Sequence, residues 1–475
     1  ANFGVDYLEK HSLFSAGVSA TFIFLFILFG KFLEVSGAGQ FFINLAVAAM
    51  GKYRGGPAKT AIVGSSILGT ISGSAVANTV TTGAFTIPLM KRTGYKNHFS
   101  GAVEAVASTG GQIVPPIMGA AAFIIASYLG MPYIDVVVAA IIPAVLYYLC
   151  LYVQVDLRAK RNHLHGLPKS ELPVLWTVLK NGFLFFIPLF IIIFMLVSGF
   201  SPMRAGLFAI VAVIVVAMVK ASTRLSPKQL IKALDLGARA SLETAVACAA
   251  AGVIIGIISL SGIGLTFSSM IIQFAGGSLL LTLFLTMVTS IVLGMGLPTV
   301  AAYIVQVPLT IPALIELGVA PLAAHLFIFY FAIISAITPP VALAAFAAAG
   351  IAGSEPMKTG LTALRLGIAA FIVPYMFVYG PSLLLIGQPG DIVTSVATAL
   401  VGILGVAAAA EGWVFRHALW YERVLLFAGS ILLIQPGVWL DVLGVAMLVI
   451  ALLLQKFTFP NNAKGKSVEQ NVTAQ

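Results

Sequence analysis

Between Ser241 and Met357 this chain carries no lysine or arginine, and the acids in that stretch are Glu243, Glu316 and Glu355. Apolar runs almost as poor in charge recur on both sides of it. A bilayer-spanning helix needs about 20 such residues. Charged residues make up 9% of the 475 and the mean hydropathy is +1.06. So little charge cannot keep a soluble chain of this size dispersed, which makes it an integral membrane protein. There is room for roughly ten to thirteen spans once hairpins and loops are allowed for. The runs are continuous rather than alternating, which suits helices and not a β-barrel.

The net charge of +10 is not a nucleic-acid footprint, because Lys and Arg sit in short loops between apolar runs, as the positive-inside rule places them. Cys150 and Cys248 lie inside apolar helical stretches and read as packing residues rather than a disulfide or metal framework. No basic segment with a cleavage site precedes the first apolar run, so no signal peptide is expected.

The chain divides by composition into five parts. Residues 1–157 hold a first half, with a span at Leu13 to Leu33, a short amphipathic helix at Gln40 to Tyr53, a hairpin near 59–90, a segment broken at Gly110-Gly111 and Pro115-Pro116, and a span from Asp135 to Val155. Residues 158–239 form a basic linker, two spans and an amphipathic surface helix from Lys220 to Arg239. Residues 240–380 hold a second half with a hairpin near 282–315. Extra spans occupy 381–460, and 461–475 is polar and read as disordered.

The window Gly69 to Thr79 gathers Thr70, Ser72, Ser74, Asn78 and Thr79 around two glycines, with no charge. Glycine relaxes the backbone, and these short polar side chains offer it competing hydrogen bonds, so a uniform helix is disfavoured. Irregular backbone at membrane depth is tolerated where it is buried in protein or lines a wet cavity. The window is therefore either a hairpin tip or broken helix facing a ligand, or a small-residue helix contact.

A second window, Gly294 to Thr299, belongs with the first. Ser36-Gly37 echoes Ser261-Gly262, Leu68-Gly69 echoes Leu293-Gly294, Ile87-Pro88 echoes Ile311-Pro312, Gly94 echoes Gly318, and Pro115-Pro116 echoes Pro339-Pro340, all offset by 224 or 225 positions. Matches in one order at one offset indicate a duplicated unit. Loops flanking the first hairpin carry Lys52, Arg54, Lys59, Lys91, Arg92 and Lys96, whereas those flanking the second carry no base and one acid, Glu316. The two copies are thus expected to enter from opposite sides. Inverted copies with interrupted helices point to a secondary transporter whose site lies near midplane.

The side chains on offer are Ser72, Ser74, Asn78 and Thr79 in one half and Thr299, Ser335 and Thr338 in the other, together with backbone carbonyls. Such hard oxygen donors suit a small hard cation. No titratable side chain lies within either tip, and proton relays need intramembrane acids or histidines, so sodium is favoured over a proton as coupling ion, with proton coupling the alternative. Glu104 reads as a structural partner of a nearby Lys or amide, or as a proton carrier. His98 and His325 read as interfacial, and Asp135 and Asp156 as end charges of a span. A passive channel remains a rival. An intramembrane serine protease is a remote one, since neither a Gly-x-Ser-x-Gly elbow nor a metal-type His-Glu pair is present. The chain is read as no enzyme, with no cofactor beyond sodium as coupling ion.

The motifs Gly55-Gly56-Pro57-Ala58-Lys59, Gly69-Thr70-Ile71-Ser72-Gly73-Ser74-Ala75-Val76-Ala77-Asn78, Pro88-Leu89-Met90-Lys91-Arg92-Thr93-Gly94-Tyr95 and Ser108-Thr109-Gly110-Gly111-Gln112-Ile113-Val114-Pro115-Pro116-Ile117-Met118 resemble the large membrane subunit of tripartite ATP-independent periplasmic (TRAP) transporters. The pattern is most similar to the fused permeases that work with the TAXI class of binding protein, and covers Leu13 to Tyr379. The resemblance implies an all-α elevator-type importer, sodium-driven, in a bacterial inner membrane. It would take a small organic acid or amino acid from a periplasmic binding protein. It implies one sodium site at Ser72, Ser74, Gly110, Val114 and Pro116, another at Gly294, Thr299, Ser335, Thr338 and Pro340, and substrate near Ser74, Asn78 and Thr299. Fused members carry a four-helix scaffold ahead of the large subunit. Here the chain starts almost directly at the large-subunit-like span, so that scaffold is either absent from this chain or lies elsewhere.

Overall fold

The computed structural model of the protein describes residues 23–119, 121–220, 223–434 and 437–457. They form an all-helical, multi-pass architecture. The first helix, α1 (Phe24–Val35), turns through 69° at Ser36-Gly37 into α2 (Ala38–Met50). Residues 13–22 of the expected first span, and the expected disordered tail, lie outside the described residues. A hairpin follows, α3 (Gly56–Ser72) and α4 (Ala75–Arg92), and then α5 (Asn97–Gly110). A single 3-10 turn, Gly111–Ile113, ends α5 before the cis Pro115–Pro116 bond, and α6 (Ala121–Leu129) resumes beyond it. The long α7 (Tyr133–Arg161) closes this part.

After the linker come α8 (Leu175–Gly182), α9 (Phe186–Val197), α10 (Pro202–Val219) and α11 (Pro227–Ser261). The expected surface helix at Lys220 to Arg239 is not a separate element. Its basic residues from Lys228 onward form the first turns of α11, whose Ser226 cap and Gln229 make a reciprocal capping box. Nothing after Arg239 breaks the helix before Gly262, so it runs on into apolar sequence.

The second part has α12 (Ile263–Phe274), a hairpin of α13 (Leu279–Gly294) and α14 (Thr299–Glu316), then α15 (Pro321–Ile334). A 3-10 turn at Ser335–Ile337, a cis Pro339–Pro340 bond and α16 (Leu343–Ala352) follow, then α17 (Pro356–Leu366) and α18 (Ile368–Tyr379). The order of elements from α3 to α6 therefore occurs again from α13 to α16. The chain ends with α19 (Pro389–Glu411), α20 (Trp420–Leu432) and α21 (Val438–Phe457).

Among the described residues eight helical stretches are long and apolar enough to cross a membrane, or nine if the bent α1–α2 pair is one span. That is fewer than the ten to thirteen expected from length, because both broken segments are divided between helices too short to cross alone.

Packing interleaves the parts. The first hairpin lies on α5, and both α4 and α5 pack against α16, which follows the second proline pair. Reciprocally α6 meets α15. A second group, α1, α9, α10 and α11, packs together and reaches the second hairpin through α11 and α14. The C-terminal helices dock through α19 onto α7. Many apolar side chains on α9 to α13 stay exposed, Phe190, Phe194, Leu265 and Phe274 among them. That is the surface expected where lipid takes the place of water.

Candidate functional site

Glycine ends the first hairpin arm. Gly73, at φ +65°, caps α3 by donating its N–H to the Gly69 carbonyl (3.1 Å), a left-handed conformation that other residues adopt only with strain. Ser74 then starts α4, its hydroxyl accepting from the Ala77 N–H at 3.3 Å. Ser72 lies beside it, its Oγ 3.5 Å from the Gly69 and Ser74 carbonyls. Both serines are exposed at the tip. Asn78 is not: it is buried and donates its amide across the hairpin to the Ser65 carbonyl at 2.9 Å, leaving its Oδ1 as the atom free for other duties. Gln306 does the same in the second hairpin, donating to the Ser290 carbonyl at 3.1 Å.

The break after α5 is pressed against this tip. A Cβ on Gly69 would stand 2.6 Å from the Gly111 Cα, so the two backbones touch with no room for a side chain. The Thr70 hydroxyl donates to the Val114 carbonyl at 2.5 Å and receives the Ile117 N–H at 3.2 Å. The Tyr133 hydroxyl donates to the Ile117 carbonyl at 2.5 Å and lies 3.1 Å from that of Pro116. Pro115 and Pro116 have no N–H to offer the carbonyls of Gly111 and Gln112 one turn back. Gly111 and Val114 thus lie against the end of α3, whereas Gly110 faces the Tyr147 ring. A carbonyl has two lone pairs, so the Val114 and Pro116 oxygens keep one each after these bonds.

In the second half the corresponding break is joined by side chain rather than by bare glycine. The Ser335 hydroxyl lies 3.1 Å from the Gly294 carbonyl and 2.7 Å from that of Ala332, and Thr338 donates to the Ile334 carbonyl at 2.9 Å. Gly296, at φ +79°, turns the chain between the hairpin arms. Pro340 is exposed beyond the cis bond. Thr299 opens α14, half-buried, and faces the first half.

That contact is made by a residue the sequence argument did not single out. Gln112 is buried in the 3-10 turn after α5, and its amide orientation is assigned from its surroundings: with the nitrogen toward Thr299 and Gly73 it donates to the Thr299 hydroxyl at 2.9 Å and to the Gly73 carbonyl at 3.2 Å and accepts from the Ala75 N–H at 3.3 Å. It touches both hairpin tips. The available signal was a lone amide between a glycine pair and a proline pair. Thr70, named in the first window but left out of the candidate ligands, is the other residue that joins the hairpin to the break. The Thr79 and Thr109 hydroxyls are buried near these elements without a hydrogen-bond partner.

Glu104 is fully buried on α5, and its partners are hydroxyls rather than the expected Lys or amide: Ser65 at 2.6 Å, Ser108 at 2.9 Å, Thr82 and Thr86. These residues come from α3, α4 and α5, so the carboxyl pins the hairpin to its support. His325 lies near the start of α15, a helix buried from Leu322 to Ile334, with Nδ1 2.5 Å from the Tyr303 hydroxyl. Asp156 is more than an end charge: it holds Arg54 and Lys59 (2.6 Å), tying the start of the first hairpin to α7. Asp135 does sit in the first turn of α7, where the helix dipole favours an acid.

Residues 5–389 match the family model described as the DctM component of the tripartite ATP-independent periplasmic transporter, and 392–473 match a domain of unknown function (DUF3394). A large permease assigned to a TRAP transporter in Haemophilus influenzae is 28% identical over 317 residues, covering 66% of this chain and 74% of the relative. The C4-dicarboxylate TRAP transporter large permease of Pseudomonas aeruginosa is 25% identical over 332 residues, 69% of this chain and 76% of the relative. The 2,3-diketo-L-gulonate TRAP transporter large permease of Escherichia coli is 23% identical over 317 residues, 66% and 74%. The family match spans both hairpins, both proline breaks and Gln112; the chain belongs to the DctM family of TRAP transporter large permeases, and is a transport protein rather than an enzyme.

Proposed function

We propose that this permease is a sodium-coupled importer of a small organic anion or amino acid, working by an elevator movement in a bacterial inner membrane. It receives substrate from a periplasmic binding protein of the TAXI type and is completed by a small four-helix membrane subunit. The two halves are taken as inverted repeats. Support comes from the recurrence of hairpin, helix, 3-10 turn and proline pair in each, and from the basic loops that flank only the first hairpin. The relatives from P. aeruginosa and E. coli are named for two different organic acids, which favours that class here without choosing a member.

The observation that carries the reading is Gln112 bound to both Gly73 and Thr299. That contact brings the two tips together and supports a reading in which Ser72, Ser74, Gly110, Val114 and Pro116 would hold one sodium ion and Gly294, Thr299, Ser335, Thr338 and Pro340 another. Substrate would lie between them, against Ser74, Asn78 and Thr299. Neutral oxygens of this kind suit an alkali cation better than a soft metal.

Proton coupling is the second reading, favoured by Glu104, a buried carboxyl against the first hairpin. Uptake of a panel of organic acids into proteoliposomes, with the binding protein supplied, separates them. Saturable uptake driven by an inward sodium gradient is expected. Uptake that follows a pH gradient and ignores sodium would move the assignment to Glu104, and flux without saturation would make the protein a channel.

A further inference from the structure

A cavity of about 460 Å³ opens where the end of α7 meets the first turns of α5 and α17. Its cationic lining is Arg158, Lys358 and Arg365, against one acid, Glu355, and Phe99 and Leu361 form an apolar wall. Beneath it Glu411, fully buried at the end of α19, serves Arg158 at 2.5 Å, Arg161 at 3.6 Å and Arg365 at 3.8 Å. One carboxylate cannot neutralise three guanidiniums, and Arg365 Nε is buried without a hydrogen-bond partner. Lys358 is exposed at the mouth. The place is short of negative charge.

It is also amphiphilic. Met357 and Leu361 are 42% and 55% exposed on the same turn as Lys358. Arg158, Lys160 and Arg161 mark this end of α7 as basic, the cytoplasmic end by the positive-inside rule. Basic pockets between membrane helices on that side suit anionic lipid headgroups, and guanidinium forks suit phosphate oxygens.

We infer that this cavity binds a phosphate-bearing anion, either the phosphodiester headgroup of an acidic lipid or phosphate from solution. Glu411 lies in the region matched by the domain of unknown function, so that C-terminal unit supplies the carboxylate that sets the charge of the site. The guanidinium of Arg365, held only loosely by Glu411, turns to the bound phosphate together with Lys358.

The test is native mass spectrometry and thermal unfolding of the detergent-purified full chain with phosphatidylglycerol, phosphatidylcholine or inorganic phosphate. Lys358→Gln is expected to weaken phosphatidylglycerol binding about fivefold, and Lys358→Glu further. Phosphatidylcholine should not bind, and Lys232→Gln on α11 should change nothing. Because Lys358 is exposed, equal melting temperatures of the lipid-free proteins would show that the variants fold. Stabilisation by inorganic phosphate alone, lost in Lys358→Glu, would assign the same site to a soluble anion. Phosphatidylglycerol and phosphate binding unchanged in Lys358→Glu would overturn the inference.

Discussion

The Gln112 amide lies 2.9 Å from the Thr299 hydroxyl, and through this bond the break after α5 joins hairpin tips more than 200 positions apart in the chain. The same amide holds Gly73 and Ala75, so three of its hydrogen-bonding positions are used on the two tips. Replacing Gln112 by Leu is expected to lower uptake at least tenfold with expression retained, because several hydrogen bonds of about 1 kcal/mol each go at once. Gln112→Glu should also lower uptake, since a carboxylate cannot donate to the Gly73 carbonyl, although the Thr299 hydroxyl can turn to donate to it. In a double-mutant cycle with Thr299→Val the two losses should fall short of adding. Full additivity would mean that the contact does not form during transport.

Ser74→Ala and Thr299→Ala test the sodium assignment. Each removes one oxygen from a tip, and each is expected to raise the sodium concentration for half-maximal uptake severalfold, a loss of about 1 kcal/mol. For Ser74 the loss of the α4 cap adds a stability cost of about 1 kcal/mol, so melting temperature is measured alongside. Sodium activation curves that superimpose on the parent for both variants would count heavily against the two-site reading.

Glu104 separates structure from proton coupling. Its carboxyl collects hydroxyls from Ser65, Thr82, Thr86 and Ser108, so Glu104→Ala should destabilise the protein by about 2–3 kcal/mol, by stranding buried donors. Glu104→Gln keeps an acceptor of the same shape and should retain most of the stability. If the residue is structural, Glu104→Gln also retains the pH dependence of uptake; a flat pH profile in an otherwise folded variant would identify it as the proton carrier.

Gly111 and Gly350 form a contrasting pair. A Cβ on Gly111 would meet the Gly69 Cα at 2.4 Å, and backbone cannot step aside as a side chain can. Gly111→Ala should therefore cost about 1–3 kcal/mol and separate α3 from the break. A Cβ on Gly350, inside α16, would meet nothing within 4 Å. Gly350→Ala should raise stability by about 0.5–1 kcal/mol through helix propensity alone. Thermal unfolding of the two purified variants checks both signs.

The sequence by itself determined the membrane environment, the places where helices must break, and the family. Charge-poor apolar runs dictate the first, because only helices satisfy their own backbone in lipid. Gly73, Gly296 and the two proline pairs dictate the second, because a turn at positive φ and a missing N–H are local properties of the residue itself. Motifs such as Gly110 to Pro116 dictate the third. What tertiary structure decided was the partner of each polar side chain. Glu104 was readable as buried, but that hydroxyls from three helices would meet it was not. That His325 would meet Tyr303 and Tyr128 was not readable either, because both come from other helices. Gln112 and Asn78 are both amides beside glycine-containing breaks, yet one bridges the tips and the other braces a single hairpin. Backbone breaks are written in consecutive residues, whereas hydrogen-bond partners are chosen by how helices distant in the chain pack.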